Sequence, residues 1–276
     1  MAAVGTSEAA AKASVDMALR EQCRVLKLPI VARDHAPFAE EARRRELSHE
    51  GYLAALLERE VLEREDKRQT RRVKEARFAL VKTLDGFDFS RAPTLPVGTV
   101  RELFSGGYID RHENVILVGD CGTGKTHLAT ALGVAACRQG RRVRFTTAAS
   151  LVNELAEAQD ALQLGRAVAK AARVDVLVVD ELGYIPLRGN GAELLFQVLA
   201  ERTERASTVI TTNLPFSEWT AVIPDARLCK ALLDRLTHRA VIVDTGKHSI
   251  RFDESLKSRR PLGAEMAARE VNRKAP

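Results

Sequence analysis

The sequence predicts an α/β fold: a five-stranded parallel sheet preceded by a small helical region. Two observations predict it. From residue 99 onward, short apolar or β-branched runs alternate with stretches of helical spacing. Before residue 86 there are no such runs, only helical periodicity. The runs are Val115–Val118, Val143–Thr146, Val176–Val179, Thr208–Thr212 and Ala240–Asp244. The first four are almost continuous, as strands covered on both faces require. Helical patterns at Thr126–Arg138 and Ala192–Arg205 supply crossover connections.

At the start, residues 1–16 are Ala-rich and are expected to be frayed. Ser48 is the expected N-cap of a long helix, with Glu50 in its first turn. Tyr52, Leu53, Leu56, Leu57 and Val61 then recur at helical spacing, and the pattern reaches about Arg77. Gly86, Pro93, Pro96 and Gly98 interrupt it around Phe87 and Phe89. This stretch reads as a linker whose two rings plug a domain joint rather than stack on a base. The expected organisation is a helical domain over 1–85, a linker over 86–98, an α/β domain over 99–257 and a poorly ordered basic tail over 258–276.

Composition narrows the function. Hydrophobic residues at 45% and charged residues at 29% are ordinary globular values and exclude wholesale disorder. No apolar window approaches the roughly 18 residues of a membrane span. The four cysteines form no C-x-x-C pair, so a zinc cluster or disulfide framework does not fit and a reduced cytoplasm does. The net charge of +6 is unevenly spread. Lys67–Lys82 and the stretch from Arg227 onward each carry +6, which leaves −6 for the rest. Lys67, Arg68, Arg71, Arg72 and Lys74 are therefore candidate phosphate-backbone contacts. The alternative is a solvated helix face and a basic tail.

The motifs carry sharper chemistry. Gly119-Asp120-Cys121-Gly122-Thr123-Gly124-Lys125-Thr126 follows the first strand and opens a helix, with His127 next. The glycines let backbone N–H groups turn inward on phosphate oxygens, and the helix dipole faces the same charge. Lys125 can reach the β- and γ-phosphates of a bound nucleotide, and the Thr126 hydroxyl can ligate Mg²⁺. Val176–Val179 ends in Asp180 and Glu181, two acids presented by an apolar strand. Asp180 would hold the Mg²⁺ shell and Glu181 would polarise the attacking water. The alternative is that both cap the following loop. Asn213, at the tip of the fourth strand, would orient that water or touch the γ-phosphate; alternatively it forms the turn before Leu214-Pro215.

These residues, in this order, resemble the AAA+ branch of P-loop ATPases, and within it the IstB-like ATP-binding proteins of bacterial insertion sequences. Further stretches that carry the resemblance are Leu26–Pro29, Ala76–Phe78, Lys82–Leu84, Phe87–Phe89, Asn114–Ala131, Val143–Ala148, Asp180–Tyr184, Thr211–Trp219 and Asp234–Leu236. The resemblance covers roughly residues 20–255. It implies that Asn213 is a sensor residue and that Arg235 is an arginine finger acting on a neighbouring subunit's nucleotide. The alternative for Arg235 is a local pair with Asp234 or another acid. Arg251 stands where the family has a Ser-Tyr-Arg arrangement, but Ile250 replaces the Tyr. The short remainder after Arg251 implies no C-terminal lid domain. The resemblance also implies an ATP-dependent homo-oligomer on duplex DNA, largely indifferent to sequence, that assists a cognate transposase. A helicase loader with the same ATPase core is the alternative partner reading. A nucleotide-gated assembly module without turnover is a third, against which Glu181 argues.

Overall fold

A computed structural model describes residues 2–184, 186–187, 189–247 and 249. Arg251 and the basic tail lie outside the described residues. The chain divides into two compact units, the first ending at Thr70 and the second beginning at Arg71. No described helix is long and apolar enough to cross a membrane.

The first unit is helical: α1 (Ala2–Val25), α2 (Pro29–Arg44) and most of α3 (His49–Glu75). The Ala-rich start is helical rather than frayed, in keeping with alanine's helix propensity. Cys23, Val31 and Leu56 form the small core, with Leu19, Leu28, Phe38 and Tyr52 around it. The Glu60 carboxylate is buried, and its Oε2 accepts the N–H groups of Ile30 (2.8 Å) and Val31 (3.2 Å). It thus satisfies donors that the start of α2 leaves unpaired.

The second unit carries five parallel strands: β1 (Asn114–Val118), β2 (Val143–Thr147), β3 (Val176–Asp180), β4 (Ser207–Thr212) and β5 (Ala240–Asp244). Their spatial order is β2-β3-β4-β1-β5. Every expected run is a strand, with ends shifted by at most one residue. Strand alternation sorts the core into two layers. Val115, Leu117, Val176 and Val178 pack with α4 (Val97–Phe104), α5 (Gly107–Asp110) and α6 (Lys125–Arg138) on one face. Ile116, Leu177, Val179 and Ile210 pack on the other. That second layer is closed by α7 (Ala148–Asp160), α8 (Leu164–Ala172), α9 (Gly191–Arg202) and α10 (Ala226–Thr237).

Two contacts position the site indirectly. Arg202 is 1% exposed and donates to the carbonyls of Ala171 and Val174, both at 2.9 Å, and to Ser207 O. It ties the entry of β3 to the entry of β4, while burial pushes its guanidinium down to about 9. At the β2 edge of the sheet, the Phe145 N–H donates to Ala76 O at 2.8 Å, so the chain leaving α3 covers an edge strand. The Phe78 ring lies 5.7 Å from that of Phe145 and against Gly133, where a Cβ would sit 2.8 Å from it. Phe87, expected at a domain joint, is instead buried in the core of the second unit.

Candidate functional site

The loops at the carboxyl ends of β1, β3 and β4 meet in one cleft of about 380 Å³. Because β1 lies next to β4 and β4 next to β3, the phosphate loop, Asn213 and the two acids are neighbours in space. Ligands of open α/β sheets bind at such an edge.

The phosphate loop owes its shape to its glycines. Gly122 (φ 83°) and Gly124 (φ 94°) are left-handed, a conformation that costs other residues energy. Gly119 is enclosed: a Cβ there would sit 2.4 Å from Thr245 Oγ1 and 2.7 Å from Gly246 O. The exit of β5 braces the loop further. The Asp120 N–H donates to Gly246 O (3.0 Å), and the hydroxyls of Thr123 and Thr245 lie 2.7 Å apart. Lys125 is mostly buried, and its ammonium donates to the carbonyls of Gly119 (2.7 Å) and Asp120 (2.8 Å). A cation held beside inward-facing loop backbone, at the first turn of α6, is the equipment of a polyphosphate site.

Asp180 ends β3 and is 4% exposed. Its Oδ1 accepts the hydroxyls of Thr211 (2.5 Å) and Thr126 (3.1 Å). A buried carboxylate with neutral donors alone around this oxygen is poorly compensated, and a hydroxyl 3.1 Å from it completes a hard-oxygen pair. The pair fits Mg²⁺, which takes one or two protein ligands and fills its shell with phosphates and water. Glu181 is exposed and lines the cleft; its φ is 59°, and its N–H donates to Thr211 Oγ1 at 2.9 Å. Thr211 therefore fixes both acids, the first by its side chain and the second by its backbone.

Asn213, Cys121 and His127 also line the cleft. The His127 ring does so while its Nε2 lies 2.9 Å from Thr83 O and its plane stands edge-on to Phe87 at 5.3 Å. Gly119, Asp120 and Thr123 shape the loop through their contacts with Thr245 and Gly246. Arg235 is remote from its own chain's cleft: on α10, its guanidinium sits 4.3 Å over the Phe196 ring and reaches Ala231 O at 3.5 Å. No acid pairs with it among the described residues. Lys67 and Arg68 stand exposed on α3 in the first unit, with Lys67 3.2 Å from Glu63. Arg71, Arg72 and Lys74 follow on the same helix, with Arg71 paired to Glu75 at 2.9 Å.

Sequence reasoning missed one wall of the cleft. Lys82, Gly86, Phe87, Asp88 and Arg91 line it, and all come from the stretch read as linker or its approach. Tyr184 was also missed, as were the bracing roles of Thr211 and Thr245. The Phe87-Asp88-Phe89 resemblance was the available signal.

A phosphate loop, an acidic strand end and a polar strand tip gathered at one edge of a parallel sheet define a P-loop nucleotide-binding protein. Over residues 21–258 the chain matches the family described as IstB-like ATP binding protein, and it belongs to that family. It is 36% identical over 236 residues to an ATP-binding protein named for insertion sequence IS5376 of Geobacillus stearothermophilus, covering 86% of this chain and 94% of that one. It is 38% identical over 219 residues to one named for IS21 of Pseudomonas aeruginosa, covering 79% and 83%. Among solved structures it is similar to AMPPCP-bound DnaA from Aquifex aeolicus (TM-score 0.49, 21% identity, 64% of this chain and 55% of that one). It is also similar to the DnaC helicase loader (TM-score 0.47, 24% identity, 54% and 86%).

Proposed function

We propose that the chain is a magnesium-dependent ATPase that assembles on duplex DNA and assists a separately encoded transposase. The observation that carries the ATPase reading is the meeting of Lys125, Thr126 and Glu181 in one cleft, with Asp180 bonded to Thr126 behind it. The relatives named for insertion sequences support the transposition role.

Bound ATP would present its phosphates to the loop and supply the scissile bond, with Mg²⁺ held by Thr126 and Asp180. Lys125 then exchanges its loop carbonyls for phosphate oxygens and balances their charge. Glu181 polarises a water, and its left-handed backbone directs the side chain away from the strand and into the cleft. Asn213 orients that water from the neighbouring strand tip. Lys82, Phe87 and His127 close the side formed by the Lys82–Arg91 segment. Arg235 cannot serve its own site from α10; it serves a neighbour's, where it offsets charge that builds in the transition state.

The test is a mixing experiment. Arg235→Ala retains the cleft but lacks the finger; Lys125→Ala lacks the cleft but keeps the finger. Each alone should be inactive, and a mixture should hydrolyse ATP. A mixture as inactive as its components would overturn the shared site.

A further inference from the structure

We infer that the α6–β2 turn, with Arg138 and Arg141, forms a second phosphate-backbone contact for duplex DNA, continuous with the basic end of α3. The inference rests on the DNA-binding reading and adds residues from a different part of the chain.

The geometry begins with the staple described above, in which Ala76 and Phe78 hold the end of α3 against β2 and α6. That staple places Arg72 beside the turn: its Nη1 is 3.9 Å from the position a Gly140 Cβ would take. Its charge also reaches Cys137. Burial pushes that thiol up to about 11, and Arg72 pulls in the opposite sense. The turn reads Arg138-Gln139-Gly140-Arg141-Arg142. Arg141 pairs with Asp110 and Arg142 with Asp175. Arg138 is exposed in the last turn of α6 and has no carboxylate partner among the described residues, nor do Arg72, Lys74 and Arg77. Two elements distant in sequence thus bring cations together with too few acids to balance them.

Clustered like charges repel unless an anion covers them. The cations are spread over a helix end and a turn rather than gathered around one point. A small anion would be poorly held on such a surface, whereas a duplex presents a phosphate every few ångströms along it. The arginine types suit bidentate phosphate contact without base choice.

The experiment measures affinity of the full chain for a linear duplex of arbitrary sequence across a salt series, with ATP present. Arg138→Gln/Arg141→Gln should reduce the slope of log affinity against log salt by up to about 1.8, at about 0.9 per lost phosphate contact. Arg138→Lys/Arg141→Lys should restore most of it, and ATP affinity should match wild type and report intact folding. Arg68→Gln/Arg71→Gln provides the comparison on α3. If that variant lowers the slope and Arg138→Gln/Arg141→Gln leaves it at the wild-type value, the turn makes no contact and this inference alone is overturned. If wild-type protein shows no salt-dependent duplex binding, the DNA-binding reading itself fails and the inference with it.

Discussion

Lys125→Ala should change stability in two separable ways. Without nucleotide the Lys125 ammonium holds the loop by donating to Gly119 O and Asp120 O at 2.7 and 2.8 Å. A charged donor's hydrogen bond contributes about 1.5–3 kcal/mol when buried. These carbonyls border an open cleft and can recover water, so the combined loss should be about 2 kcal/mol. For a chain of this size that lowers the melting temperature by about 4–8 °C. The second effect is larger in kind. Wild-type protein with ATP at a hundredfold excess over its dissociation constant gains about 2.7 kcal/mol, or about 5–10 °C. The variant should gain almost nothing. Differential scanning fluorimetry with and without Mg-ATP reads both shifts in one plate. A variant that ATP stabilises as much as wild type would show that Lys125 holds the loop without gripping phosphate.

Two further outcomes follow from the cleft. Glu181→Gln should bind ATP normally yet turn it over about 10²-fold more slowly, since the amide no longer takes the water's proton; wild-type turnover would remove that role. Cys121 is exposed in the cleft, whereas Cys23, Cys137 and Cys229 are buried and burial pushes the last two thiols up. Mass spectrometry after brief maleimide treatment near neutral pH should find Cys121 labelled first, and Mg-ATP should slow that labelling. Equal labelling with and without nucleotide would place ATP elsewhere.

Much of this protein is legible in its sequence, and the boundary of legibility is physical. Strands covered on both faces must be apolar throughout, so the runs around Ile116, Val178 and Ile210 announced themselves. The phosphate loop was legible because its glycines and its lysine act within eight consecutive residues. Asp180 and Glu181 were legible because acids ending an apolar strand demand a reason. Side chains whose roles depend on distant partners were not. Thr211 looks like any β-branched strand residue until the strand order sets it against Asp180. Phe87 and Lys82 sit in a Gly- and Pro-punctuated stretch that reads locally as linker; only the fold brings them to His127 and the cleft. Nothing local marks Arg202 for burial, and two of the carbonyls that justify it, Ala171 O in α8 and Val174 O before β3, lie 31 and 28 residues away. Periodicity reports local burial, and it carries no information on which loops converge.

In the function proposed above, the nucleotide in this cleft controls assembly on DNA. Mass photometry of the full chain on duplex DNA, run with Mg-ATP, with Mg-ADP and without nucleotide, tests it most directly. Larger particles on DNA with Mg-ATP alone are the predicted result. The same particle mass and the same DNA occupancy in all three conditions would contradict it.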